Sequence, residues 1–353
     1  MKATVKPAVS AAALFVLLAA APALAAPPAS RGGAGGEPAW KPRDPAAAPD
    51  HKTPWHLFGA PAEDTSAAQL ARARRFESEK RWSAAISAYQ ALVHNWGSGP
   101  EAPEAQLSIG RLLEYTGDYE EAFKEYQYYL DHYGAAGTGE FGYADVVAAQ
   151  FACANQLRTR ISSSPWSPSY TLVSSMFRKI AENAPDSPRA AESVYLQAMS
   201  LELGGADDLA VPVYERLVVK YPSNDLAVSA RYRAAFCRSR LSERSPNDER
   251  TLSHALAAVR SALAAAPGSP DAAAAAERER ELSARQTAQA FARAEFYDRV
   301  RRKPEAAALA YRRFLERFPD AAEAPRARER LAEIEAALPT PAPAADAVPE
   351  AAP

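Results

Sequence analysis

The places where this sequence could do chemistry are its histidines, its two cysteines, one glycine-rich motif, a few loop serines and an arginine-rich run. A metal site needs ligands at set spacings, and His51, His56, His94, His132 and His254 show neither HExxH nor any other ligand spacing. The segment from Gly137 through Gly139 to Gly142 matches GxGxxG. A dinucleotide fingerprint must follow a strand and open a helix, whereas here the preceding residues have helical periodicity, so the glycines read as relief of backbone strain in a loop. Ser98 and the run Ser162 to Ser164 lack the G-x-S-x-G frame of a nucleophile elbow. Cys153 and Cys237 lie in helical patterns without CxxC spacing. They read as small core fillers, with pairing in an oxidising compartment as the other reading. Arg293, Arg299, Arg301, Arg302 and Lys303 could form a phosphate or anionic-lipid patch, but Glu277, Glu279, Glu281 and Glu295 interleave upstream and favour a salt-bridged, solvated face. No set of reactive groups converges. The expectation is a protein without catalytic residues, metal or cofactor.

The elements around these residues explain what they are for. Lys2 and Lys6, the apolar stretch Ala8 to Ala20, and Ala23-Leu24-Ala25 have the order of a secretory leader. The division expected is a signal peptide over 1–25, a Pro/Gly/Ala-rich disordered linker over 26–65, a helical array over 66–338 and a disordered tail over 339–353. Without a cysteine just after the apolar stretch, and without a second long apolar run, the mature protein is expected to be periplasmic, soluble and without a membrane span. Within the linker, Pro54-Trp55-His56-Leu57-Phe58 is out of character: it either docks on the first helices, the commoner fate of such a cluster, or is a recognition segment. Removing Lys2 and Lys6 lowers the basic count from 41 to 39 against 43 acidic residues, about −4, which argues against bulk nucleic-acid binding.

Between the tails, Ala, Leu, Glu and Arg dominate with apolar spacings of three and four, so the chain reads as all-α. A small residue is followed four later by a large one in Ala85/Tyr89, Ala122/Tyr126, Val173/Phe177, Ala210/Tyr214 and Ala307/Tyr311, and more weakly in Ala255/Val259. In the last four of these in chain order, as in Val173/Phe177, proline follows: Pro185, Pro222, Pro267 and Pro319. Counting back, Gly110, Leu113 and Gly117 precede Tyr119 and Ala122, while Ala198, Leu201 and Gly205 precede Ala210. Small side chains let antiparallel helices approach, the aromatic fills the groove between hairpins, glycine permits the turn and proline ends the second helix. The anchors are 37 residues apart from Tyr89 to Tyr126 and from Phe177 to Tyr214, and 45 to 52 elsewhere. The pattern resembles the tetratricopeptide repeat, whose minimal period is 34. It implies a TPR-type helical-hairpin solenoid of about six hairpins, with Ala322 to Leu338 as a C-terminal capping helix.

The segments KYPSNDLAVSARYRAA and RFPDAAEAPRARERL, with their long spacing, resemble the repeats of the BamD outer-membrane assembly factors and of the CpoB cell-division coordinators. That resemblance implies a scaffold that binds envelope proteins or peptides, in barrel assembly or in coordinating cell-wall synthesis with constriction. The standard groove positions project onto Arg74 and Glu77, onto Arg111, Glu114 and Tyr115, and onto Tyr195, Met199 and Glu202. Tyr115 and Tyr128 are the two tyrosines of the densest aromatic cluster that the repeat does not explain, which makes them candidates for peptide contact.

Overall fold

A computed structural model describes residues 61–134, 142–161 and 168–338. Among the described residues there are thirteen α-helices, one π-helical turn and no strand. Consecutive helices pair as antiparallel hairpins: α1 (Ser66–Ser78) with α2 (Trp82–Asn95), α3 (Ala102–Thr116) with α4 (Tyr119–His132), and α5 (Tyr143–Thr159) with α6 (Tyr170–Asn183). Then follow α7 (Ala190–Leu203) with α8 (Asp207–Lys220), α9 (Leu226–Arg244) with α10 (Glu249–Ala265), and α11 (Ala272–Glu295) with α12 (Pro304–Arg317). The single helix α13 (Ala324–Ala337) closes the series. The six-hairpin array with a cap is the architecture that the repeat implied. Residues 1–60, which hold the expected leader and most of the expected linker with Pro54 to Phe58, and residues 339–353, the expected tail, lie outside the described residues.

All twelve anchors of the repeat are 2 % exposed or less, the weak pair Ala255/Val259 included. Valine at the aromatic position therefore occupies the same slot with less volume. The packing partners come from the first helix. A Cβ added at Gly110 would stand 2.6 Å from Cε1 of Tyr126, so the ring lies directly on the α3 backbone. Ala73 and Ala198, the equivalents in the first and fourth hairpins, are fully buried. Each second helix preceding Pro185, Pro222, Pro267 or Pro319 ends one residue before its C-cap, and the proline follows that cap.

The turn inside a hairpin has one recurring backbone feature. Nine residues before the anchor tyrosine, φ is positive at Lys80 (58°), Gly117 (88°), Gly205 (77°) and Arg302 (49°). Two of the four positions thus carry a side chain where the backbone favours glycine. The last hairpin also contains an extra residue. Ala294 and Asp298 precede Tyr311 by one position more than their equivalents precede theirs. The surplus is absorbed between Asp298 and Arg302, where the π-helical turn Phe296–Val300 places the Arg301 N–H on the Phe296 carbonyl at 2.9 Å.

Successive hairpins share one continuous interior. Buried clusters run from α1 to α7, from α6 to α9, from α9 to α11 and from α11 to α13, each overlapping or abutting the next. Tyrosines stitch neighbours together: Tyr133 donates its hydroxyl to the Gly97 carbonyl and Tyr221 to the Pro185 carbonyl, both at 2.8 Å and both across 36 residues. On α13 only Ala324, Ala327 and Ile334 are buried, and the charged residues Arg326, Arg328, Glu329, Arg330, Glu333 and Glu335 are exposed. Such a polar outer face is what a terminal cap requires.

Candidate functional site

Contacts between alternate helices join α7 to α9 and α9 to α11, all of them first helices. The groove positions that the repeat projects also lie on first helices, which makes their outer face the site to consider. Arg74 is exposed on α1 and reaches Glu104 of α3, with Nε 2.8 Å from the carboxylate. Arg111 and Tyr115 are exposed on α3, and Tyr115 meets Trp82 edge-on with ring centroids 4.9 Å apart. Tyr195 and Met199 are half-buried on α7, Tyr195 with its ring 5.7 Å from Tyr214. The predicted residues thus form two patches, on α1/α3 and on α7, with α5 between them in chain order. Tyr128 is half-buried and stacks on His132, centroids 4.0 Å apart.

The three glutamates of the predicted groove are already engaged. Tyr89 donates its hydroxyl to Glu77 at 2.7 Å, Tyr126 to Glu114 at 2.8 Å and Tyr214 to Glu202 at 2.7 Å. In each case the acid lies twelve residues before the tyrosine. In the last hairpin Tyr311 reaches Asp298 at 3.5 Å across thirteen, the shift that the π turn imposes. Burial, then the neighbouring carboxylate, pushes the Tyr126 phenol up well beyond its ordinary range. For Tyr214 the same two causes act, with Glu202 as the acid. The following helix adds to three of the locks: the Cys153 and Cys237 thiols lie within electrostatic reach of Glu114 and Glu202, and Arg330 of α13 holds Asp298 at 2.7 Å. Both cysteines are buried free thiols, raised chiefly by burial. The signal for these locks stands in the sequence as Glu, eleven residues, Tyr. It is invisible to a search that reads groove positions one at a time.

A second network went unforeseen. Asp207, the first residue of α8, is fully buried, and Arg240 of α9 binds it with Nε at 3.0 and 3.2 Å from its two oxygens. Arg244 binds it at 2.7 Å. Burial alone would raise this carboxyl, but hydrogen bonding and charge from Arg240, with Arg244, hold it below the usual range. Arg240 and Arg233 also reach Glu202, at 3.1 and 3.2 Å. The arginines of α9 therefore clamp the fourth hairpin to the fifth, and their charge is largely neutralised. The arginine-rich stretch at the end of α11 behaves similarly: Arg293 pairs with Glu249, Arg299 with Glu295, and Arg301 lies over the Phe296 ring at 5.5 Å.

Among the described residues no group of three or more His, Cys, Asp or Glu could hold a metal ion. No helix among them is long and apolar enough to cross a membrane. Of the glycine motif only Gly142 is described, as the N-cap of α5, where its N–H is held by Asp145. Ser162 to Ser164 lie outside the described residues, as do His51 and His56.

Tetratricopeptide-repeat models match residues 70–139 and residues 192–224, that is, the first two hairpins and the fourth. No curated protein matches the chain. Similar solved structures include the apo form of RapI, 13 % identical over 77 % of this chain and 97 % of that one, with a TM-score of 0.31. A tetratricopeptide-repeat protein from Parabacteroides merdae is 11 % identical over 77 % of this chain and all of the other, with a TM-score of 0.29. Neither matching model describes an enzyme; tetratricopeptide repeats generally serve as protein-binding scaffolds. The chain is an all-helical solenoid of six hairpins and a capping helix that carries tetratricopeptide repeats in its first two hairpins and its fourth.

Proposed function

We propose that this protein is an exported adaptor that holds a partner polypeptide against the face formed by its first helices, working in the envelope in the manner of the BamD assembly factors. The observation that carries the reading is a leader-type start, Met1 to Ala26, followed by tetratricopeptide repeats, which generally serve as protein-binding scaffolds. The locks narrow the surface that a partner would use. Glu77, Glu114 and Glu202 are turned toward their tyrosines, which leaves the Arg74/Glu104 pair, Arg111, Tyr115, Tyr195 and Met199 as the side chains a ligand meets. Mixed charge with aromatic and thioether groups suits a peptide.

The test is in vivo crosslinking from Arg111 and Met199 followed by pull-down from the envelope fraction. Recovery of barrel-assembly components supports the proposal. Recovery of Tol-Pal or cell-wall synthesis proteins alone would move the assignment to a CpoB-like coordinator, and a cytoplasmic, uncleaved chain would sink the export reading.

A further inference from the structure

Tyr115 is the most exposed tyrosine among the large apolar side chains, at 72 %, and its ring is braced edge-on by Trp82 at the turn side of the first two hairpins. The corresponding positions in the first and fourth hairpins hold Ser78 and Leu203, so the repeat itself does not call for an aromatic here. Trp82 carries an indole N–H and Tyr115 a hydroxyl, each able to donate to a ligand. Close by, across the Gly117 turn, Tyr119 is capped by Arg160 at 4.4 Å, and Arg160 is itself anchored on the Gly117 carbonyl at 3.0 Å. Splayed aromatic rings that carry hydrogen-bond donors are the means by which proteins grip polyproline-type segments: the rings pack against pyrrolidines, and the donors take the exposed carbonyls.

From these observations we infer that the Trp82/Tyr115 edge binds the chain's own proline-rich segment, Pro42 to Pro54. This segment carries Pro42, Pro45, Pro49 and Pro54, and the Pro42/Pro45 spacing places two prolines on one edge of a three-residue-per-turn helix. The described chain begins at the right end of the molecule. Ala62 donates its N–H to Gln69 at 3.2 Å and Glu63 pairs with Arg72, which fixes the entry beside the first turns of α1. The thirteen residues of α1 separate that entry from the turn that leads to Trp82, a rise of about 20 Å. An extended polyproline segment covers about 3.1 Å per residue, so roughly seven residues bridge the gap and Pro54 arrives at the edge, with Pro42 to Pro49 left to lie across it. The inference does not depend on the envelope assignment.

The experiment places a photo-crosslinking p-benzoylphenylalanine at position 115 in the full chain, with a second variant labelled at exposed Leu309 as control, and maps the products by mass spectrometry at low micromolar concentration. The expected product from position 115 is an intramolecular link to residues 42–54 that falls at least fivefold when Pro42, Pro45 and Pro49 are replaced by serine; position 309 should give none. A link to residues 339–353, a link to a second copy, or no link to residues 42–54 overturns the inference. Circular dichroism of each variant separates these outcomes from loss of fold.

Discussion

Removing a single oxygen tests whether the tyrosine–carboxylate pairs are working parts of the array. In Tyr126→Phe the ring still fills its slot against Gly110, so the change is confined to the hydroxyl that Glu114 accepts at 2.8 Å. Tyr126 is 1 % exposed and Glu114 half-buried, so the carboxylate loses a donor that water replaces only on its open side. A hydrogen bond to a charged group contributes roughly 1.5–3 kcal/mol, which corresponds to a fall of roughly ten- to hundredfold in local protection. Because a solenoid need not unfold in one step, the assay should resolve single hairpins: native-state hydrogen exchange on the amides of α3, α4 and α10. Exchange should accelerate in α3 and α4 while α10, whose anchor is Val259 and which has no such acid, stays as it was. A double-mutant cycle with Glu114→Ala should give a coupling above about 1 kcal/mol. A coupling under about 0.5 kcal/mol, or equal acceleration in α10, would show that the pair is a surface ornament and that the recurrence has another cause.

Other substitutions probe the turns, the packing and the buried charges. Lys80→Gly and Arg302→Gly should each stabilise by about 0.5–1 kcal/mol in urea melts, since both residues hold a left-handed backbone; loss of stability would contradict the turn geometry. Gly110→Ala should destabilise by roughly 1–3 kcal/mol, because the new methyl has to displace a ring seated 2.6 Å away. Arg240→Met should cost about 2–3 kcal/mol, near the low end for a broken buried pair because Arg244 remains on Asp207, and should loosen α8 and α9 in hydrogen exchange before other helices. Asp207 and Asp298 are held below their ordinary values, so what they contribute is present above about pH 4 and is lost as pH falls through their folded values. Acid melts should show that loss, and Arg240→Met should flatten the part due to Asp207.

The hairpins were legible because their rule is local. A small residue, three intervening positions and a large apolar one place two side chains on one helical face, and all six instances are buried, even where valine stands for the aromatic. The Gly117 and Gly205 turns were legible for the same reason, whereas Lys80 and Arg302 adopt the same backbone without the residue that announces it. The tyrosine–carboxylate pairs needed a comparison between the two helices of a hairpin, and in the last hairpin the π turn moves the acid by one, so a fixed spacing misses Asp298. The Asp207 network was further out of reach. It joins residues 33 and 37 apart on α8 and α9, and which arginine of α9 turns toward Asp207 depends on how one hairpin is rotated against the next.

That rotation also bears on what the surface can recognise. Taken residue by residue, the predicted groove is mixed charge with aromatic residues and a methionine, which suits a peptide. In the folded array its glutamates serve the interior: they take tyrosine hydroxyls from the second helices and, at Glu202, two arginines from α9. The acids that keep the hairpins in register are thereby withdrawn from binding, and a partner meets the residues that the repeat leaves unassigned. Tyr115 and Met199 are such residues, each differing from the side chain at its equivalent place in neighbouring hairpins. Partner choice in this molecule should therefore follow substitutions at Tyr115, Met199 and Arg111, which leave the locks intact, while substitutions at Glu77, Glu114 or Glu202 should weaken binding only in proportion to the stability they remove.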